Sequence, residues 1–293
     1  MKDFGRILTA MVTPFKKDMS VDYKKAADLA VKLLSEGSDG LVLHGTTGES
    51  PTLTHDEEYE LYKVVKDAIK GKGSIVAGTG SNSTATTIKS TKKAEEIGVD
   101  GAMIVVPYYN KPPQEGLYQH FKAVADNTKL PLIIYNIPGR TGKNMEPETV
   151  ARLAKIKNYV AIKEASGDLN QVSKVREVTP KDFLIYSGDD NLTLPIMERG
   201  GHGVISVAAH VAGNLMQEMV KAAASGDKKK AEEINNKLAP LFKVLFITTN
   251  PIPVKAALGI TGFEVGPPRL PLVPATDKEK EEIRKVLKGL GIV

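Results

Sequence analysis

A lysine closes an apolar run in Tyr159-Val160-Ala161-Ile162-Lys163-Glu164-Ala165-Ser166-Gly167-Asp168. Most other lysines of the chain lie on helical faces among polar neighbours. Burial disfavours an ammonium, so the pKa of Lys163 is expected to fall toward neutrality. A neutral amine attacks a ketone and forms an imine. The duller reading is a lysine that snorkels from a strand end. Two adjacent tyrosines precede a rigid pair of prolines in Pro107-Tyr108-Tyr109-Asn110-Lys111-Pro112-Pro113. A tyrosine hydroxyl relays a proton or binds an anion; packing at a subunit or loop interface is the alternative. In Gly45-Thr46-Thr47-Gly48-Glu49 a tight turn presents N–H groups and two hydroxyls, a nest for a carboxylate. The same residues also suit a plain turn into a helix. Tyr135-Asn136-Ile137-Pro138-Gly139-Arg140-Thr141-Gly142 sets an arginine among glycines. A guanidinium there can grip a carboxylate with two parallel bonds, or form only a surface ion pair. Asp189 and Asp190, after Ser187-Gly188, read as helix N-caps in preference to metal ligands.

These segments need elements to hold them. Eight apolar, β-rich runs recur: Ile7 to Val12, Leu41 to Leu43, Ser74 to Ala77, Ala102 to Val106, Leu132 to Tyr135, Tyr159 to Ile162, Phe183 to Tyr186 and Gly203 to Val207. Each is followed by a polar loop and a segment of helical period. Tyr23 to Ser35 carries an apolar stripe of Ala26, Ala27, Ala30, Leu33 and Leu34. Thr54-His55-Asp56-Glu57 is a capping-box sequence. Gly37, Gly71 and Gly98 stop helices. Several runs are apolar throughout, as in parallel strands buried on both faces. The pattern predicts an α/β fold, a (β/α)8 TIM barrel over residues 1–225, with a C-terminal helical appendage over 226–293. A doubly wound sheet is the rival. It wants a glycine-rich phosphate loop, and Gly78-Thr79-Gly80 lacks the third glycine. In a barrel, chemistry gathers in the loops at the C-terminal strand ends, where all the singled-out segments fall.

The composition narrows the class further. The 293 residues are 41% hydrophobic and 26% charged, enough for a core without a metal or disulfide staple. Cysteine is absent, which excludes disulfides, thiolate zinc sites and thiol nucleophiles. The five histidines, at 44, 55, 120, 202 and 210, show no tight ligand spacing, so no metal is expected. The net charge of +5 comes from lysines scattered among acids, with few aromatics between them. That is a solvated surface, not a nucleic-acid footprint. No run approaches a membrane span, and Met1-Lys2-Asp3-Phe4-Gly5-Arg6 lacks the apolar stretch of a signal peptide. A cytoplasmic location is expected.

Taken together, Gly45 to Glu49, Tyr108-Tyr109-Asn110, Tyr135 to Gly142 and Ile162-Lys163-Glu164 resemble the dihydrodipicolinate synthase family, within the wider N-acetylneuraminate lyase superfamily. The resemblance extends to Asn250-Pro251-Ile252-Pro253-Val254-Lys255 in the tail. It implies condensation of pyruvate with aspartate 4-semialdehyde in lysine and diaminopimelate biosynthesis, with no cofactor. By the resemblance, Lys163 forms the imine, Thr46 and Thr47 hold the pyruvate carboxylate, and Tyr135 passes protons through Thr47 to Tyr109. Gly188 and Ile205 line the site through backbone groups. Arg140 separates this family from the sialic-acid lyase branch, whose loop lacks Arg-Thr-Gly, and suits a second substrate with its own carboxylate. A related pyruvate aldolase for a 2-keto-3-deoxy sugar acid or N-acetylneuraminate is the runner-up. A non-catalytic sensor on the same fold is the alternative of a different class; it would be expected to lose Lys163 or the tyrosines. The resemblance also implies a tight dimer paired into a homotetramer, with Tyr109 reaching into a neighbour's site. It implies, finally, a lysine-inhibition site. Ser50, His55, Asn82 and Tyr108 keep its pattern, while Glu58 stands where the inhibited pattern has histidine and Thr86 where it has glutamate. Inhibition by lysine is therefore expected to be weak or absent.

Overall fold

The computed structural model describes residues 3–293. Eight parallel strands follow one another in order and close a barrel. They are β1 (Ile7–Ala10), β2 (Gly40–Leu43), β3 (Ser74–Gly78), β4 (Gly101–Val105), β5 (Leu132–Asn136), β6 (Tyr159–Glu164), β7 (Leu184–Ser187) and β8 (Gly203–Ser206). Twelve helices occur among the described residues. They are α1 (Tyr23–Ser35), α2 (His55–Ile69), α3 (Thr84–Ile97), α4 (Gln114–Ala125), α5 (Pro138–Thr141), α6 (Pro147–Leu153), α7 (Leu169–Val178), α8 (Thr193–Met197), α9 (Ala209–Ser225), α10 (Lys228–Val244), α11 (Ile252–Ile260) and α12 (Asp277–Gly289). The fold is the TIM barrel expected from the alternating runs, with further helices at the C-terminal end. No helix among the described residues is long and apolar enough to cross a membrane.

The chain groups into two compact units. The first comprises Met1–Arg6 and Ser74–Ile205. In it β4 pairs β5, β5 pairs β6 and β6 pairs β7, all parallel. Ile104, Ile133, Ile162 and Ile185 are fully buried on these strands. The intervening helices start where a side chain takes an otherwise orphaned N–H. Ser83 accepts from Thr86, and Asp168 accepts from Asn170 and Gln171.

The second unit comprises Ile7–Gly73 and Ser206–Val293, so it holds β1, β2, α1, α2 and the helices from α9 onward. α1 buries Ala26, Leu29, Ala30 and Leu33, a stripe at helical spacing. Leu29 and Leu33 are both fully buried, so truncating either to alanine is expected to cost about 2–5 kcal/mol. α2 opens with the capping box between Thr54 and Glu57. β1 stops at Ala10, two residues short of the expected Val12. The reason is a side chain: His210 Nε2 accepts the Val12 N–H at 3.1 Å, so that donor leaves the strand ladder.

Candidate active site

In the first unit Lys163 lies next to the end of β6 and is 6% exposed. β5 brings Tyr135 directly opposite it in register. The Lys163 Nζ stands 4.2 Å from the centre of the Tyr135 ring, a cation–π contact that holds the amine in place. Gly188, just after β7, donates its N–H to the Glu164 carbonyl at 2.8 Å. A Cβ at this position would sit 3.2 Å from Lys163 Cε and 2.6 Å from Ala165 Cβ, so a side chain here would press on the lysine. Ile205 is buried on β8.

Asp189 was missed as a member of this group. It occupies the N-cap position of the short turn Asp190–Leu192 but makes no side-chain cap bond there, and Asp190 is buried within that turn. Burial pushes the Asp189 carboxyl above the ordinary carboxylate range; the Asn191 N–H and the Lys163 charge oppose that shift. The signal in the sequence was its place at the end of strand 7, one residue past Gly188.

Tyr109 and Arg140 lie at the exposed rim of the same unit. Tyr109 is 88% exposed and has φ of 73°; Lys111, two residues on, has φ of 45°. Left-handed backbone costs a non-glycine residue roughly 1–2 kcal/mol, so neighbours must enforce it. The Tyr109 N–H donates to Thr141 O at 3.3 Å, and Asn110 Nδ2 to Asn82 O at 2.9 Å. The first of these bonds ties the tyrosine turn to α5, the single helical turn that carries Arg140, an exposed residue.

The threonine loop belongs to the second unit. Its N–H groups of Gly48, Glu49 and Ser50 close the turn onto Gly45 O, Thr46 O and Gly45 O. Thr47 Oγ1 accepts from Asn250 Nδ2 at 2.9 Å in a buried pair. Since the Thr47 oxygen accepts in this bond, its hydroxyl proton is directed away from Asn250. Glu49 anchors the end of the loop. Its Oε1 lies 2.5 Å from Lys255 Nζ, both side chains at most 3% exposed, and its Oε2 accepts the Arg269 N–H at 2.8 Å. Lys255 also lies 4.3 Å from the Phe15 ring centre. Burial pushes the Lys255 ammonium down and the Glu49 carboxylate pulls it back up. Breaking such a pair from one side costs about 3–5 kcal/mol, because the other charge stays buried. Asn250 and Lys255 carry the loop from more than two hundred residues away. Only their motif, not their role, was visible in the sequence.

Of the residues of the second cluster, Ser50, His55 and Glu58 fall in the second unit. Glu58 is 4% exposed, and its two carboxylate oxygens lie 2.8 Å from His44 Nε2 and 3.1 Å from His55 Nδ1. His55 stacks on Tyr59. Asn82, Thr86 and Tyr108 fall in the first unit, where Thr86 is half-buried near the start of α3 and Tyr108 is 40% exposed.

Similarity to known proteins follows the whole chain. A family model described as the dihydrodipicolinate synthetase family matches residues 3–290. A 4-hydroxy-tetrahydrodipicolinate synthase from Thermosynechococcus vestitus is 57% identical, covering 100% of this chain and 99% of its own. One from Moorella thermoacetica is 58% identical, with 99% of each chain covered. Among solved structures, the Cyanidioschyzon merolae enzyme with lysine bound superposes with a TM-score of 0.97 at 49% identity, covering 99% of both chains. A dihydrodipicolinate synthase variant characterised as monomeric superposes equally, TM-score 0.97 at 45% identity, over 99% of this chain and 98% of that one. The chain belongs to the dihydrodipicolinate synthetase family and is an enzyme, a lyase of the pyruvate-dependent aldolase type.

Proposed function

We propose that this chain condenses pyruvate with L-aspartate 4-semialdehyde, the 4-hydroxy-tetrahydrodipicolinate synthase reaction of lysine and diaminopimelate biosynthesis, through an imine on Lys163. The observation that carries the reading is a buried lysine amine held against the Tyr135 ring in a chain of this family. The Lys163 amine adds to the pyruvate ketone, and water leaves to give the imine. A methyl proton is then lost, and the iminium nitrogen takes the electron pair, which makes an enamine. Its carbon attacks the aldehyde of the second substrate. The substrate's own amine next attacks the imine carbon, closes the ring and expels Lys163.

Thr46 and Thr47 bind the pyruvate carboxylate; the Asn250 bond, which turns the Thr47 proton away from Asn250, supports that role. Tyr135 passes protons, Gly188 and Ile205 line the site, and the exposed Arg140 meets the carboxylate of the semialdehyde. Tyr109 completes the site of a neighbouring subunit. Its 88% exposure and enforced left-handed backbone suit a projection that finds its partner outside its own protomer. The assembly is a homotetramer, a dimer of tight dimers, and the enzyme works in the cytoplasm. Ser50, His55, Glu58, Asn82, Thr86 and Tyr108 mark a lysine site with a degenerate set of residues.

The test of the reaction is a comparison of aldehydes with pyruvate held fixed. Turnover is expected with aspartate semialdehyde and at least about tenfold less with N-acetylmannosamine or glyceraldehyde, since a site that binds a substrate carboxylate rejects analogues lacking it. The reverse preference would assign the chain to the sugar-acid branch.

A further inference from the structure

Behind the reacting pair lies a second pair. Along a strand successive side chains point to opposite faces. Tyr135 and Lys163 face each other in register, so the next register pair, Asn136 with Glu164, occupies the opposite face of the same two strands. Both are at most 1% exposed. The Glu164 carboxylate accepts from Ser166 N at 2.7 Å, from Gln171 Nε2 at 3.2 Å, and from Asn136 Nδ2 at 3.2 and 3.3 Å. Asn136 Nδ2 also donates to Asn144 Oδ1 at 2.8 Å, and Asn136 Oδ1 accepts from Met145 N at 3.0 Å. Asn144 and Gln171 exchange bonds of 2.8 and 3.2 Å. The network therefore joins β5, β6, α7 and the segment after Arg140.

We infer that Glu164, Asn136, Asn144 and Gln171 are positioning residues that fix the strand ends presenting Tyr135 and Lys163 and the loop presenting Arg140. This inference rests on Lys163 being the imine-forming lysine.

The chemistry of the network argues for geometry over stability. All the groups that donate to the Glu164 carboxylate are neutral among the described residues. Burial pushes its carboxyl up, and the Ser166, Gln171 and Asn136 donors oppose that shift. A buried carboxylate without a cation is costly compared with apolar packing of the same volume. What it provides is four directional acceptor contacts drawn from three separate segments. Its removal should act on catalysis through distance, and a misplacement of about 1 Å at a reacting centre costs about 100-fold.

The experiment follows the time course of borohydride trapping of pyruvate on Lys163 beside steady-state kinetics, in the full chain, for wild type, Glu164→Gln and Gln171→Ala. Glu164→Gln keeps volume but turns an amide NH2 against partners that are all donors. The trapping rate and kcat are expected to fall together by about 10- to 100-fold, with KM for pyruvate moving by less than about threefold. Gln171→Ala, a half-buried position on the edge of the network, should fall in the same sense by about 3- to 10-fold. Wild-type trapping rates in both variants, even with lowered melting temperatures, would overturn the positioning role. If Glu164→Gln does not fold, Gln171→Ala decides alone. No adduct in the wild type would instead overturn the reading of Lys163, and the inference with it.

Discussion

Lys163 and Arg140, the two residues proposed to meet the substrates, differ sharply in burial. The lysine is 6% exposed and the arginine stands in solvent. An amine that must react as a nucleophile gains from a dry site, whereas a guanidinium that greets an incoming carboxylate needs access. Arg140→Ala is accordingly expected to raise the KM for aspartate semialdehyde by roughly 10- to 150-fold, the loss of a charged hydrogen-bond partner at about 1.5–3 kcal/mol. The KM for pyruvate should change far less. Equal effects on both substrates, measured in one set of initial-rate assays, would reduce Arg140 to a loop-stabilising role. At this scale the sequence exposed the residues whose type is unusual for their place, a lysine closing an apolar run and tyrosines before Pro-Pro. It did not expose partners set by side-chain geometry. Asn250 against Thr47, and Asp189 within reach of the Lys163 charge, follow from three-dimensional placement, and neither residue type is odd where it stands.

Elements were more legible than partners. The strands were found within two residues at either end, because strands buried on both faces are written as apolar runs. α1 fell at Tyr23–Ser35 as expected, and the Thr54 capping box opens α2. The second face of β5 and β6 was not legible, since Asn136 and Glu164 acquire meaning only through a register that no local pattern encodes. α2 and α3 carry a prediction about regulation. Glu58 on α2 would serve an ammonium ligand only with its carboxylate turned toward that ligand. Instead it is buried, with both oxygens facing His44 and His55. An ammonium ligand in a partly buried cleft requires an anionic or strong acceptor partner. Initial rates are therefore expected to show half-inhibition by free lysine only above ~1 mM, one lost charged contact being about 1.5–3 kcal/mol. Half-inhibition below that concentration, with a matching calorimetric titration, would mean that Glu58 turns outward to bind.

For the molecule as a whole, identity to the T. vestitus and M. thermoacetica synthases of 57% and 58% extends over nearly the full length of each chain, so the resemblance covers the barrel and the C-terminal helices alike. Assembly is the property least written in one chain. A monomeric variant shares this fold closely, and the case for a shared site rests on Tyr109. If Tyr109 serves a neighbour, mixing Lys163→Ala protomers with Tyr109→Phe protomers should recover activity, because one hybrid site then holds both wild-type groups. No recovery after demonstrated subunit exchange would count against the shared site. All of these expectations depend on one bond. The protein incubated with pyruvate and sodium borohydride, then measured by intact mass and peptide mapping, should gain a single reduced pyruvate adduct, located on Lys163 and lost in Lys163→Ala. An adduct on another lysine, or one that survives in Lys163→Ala, would contradict the account.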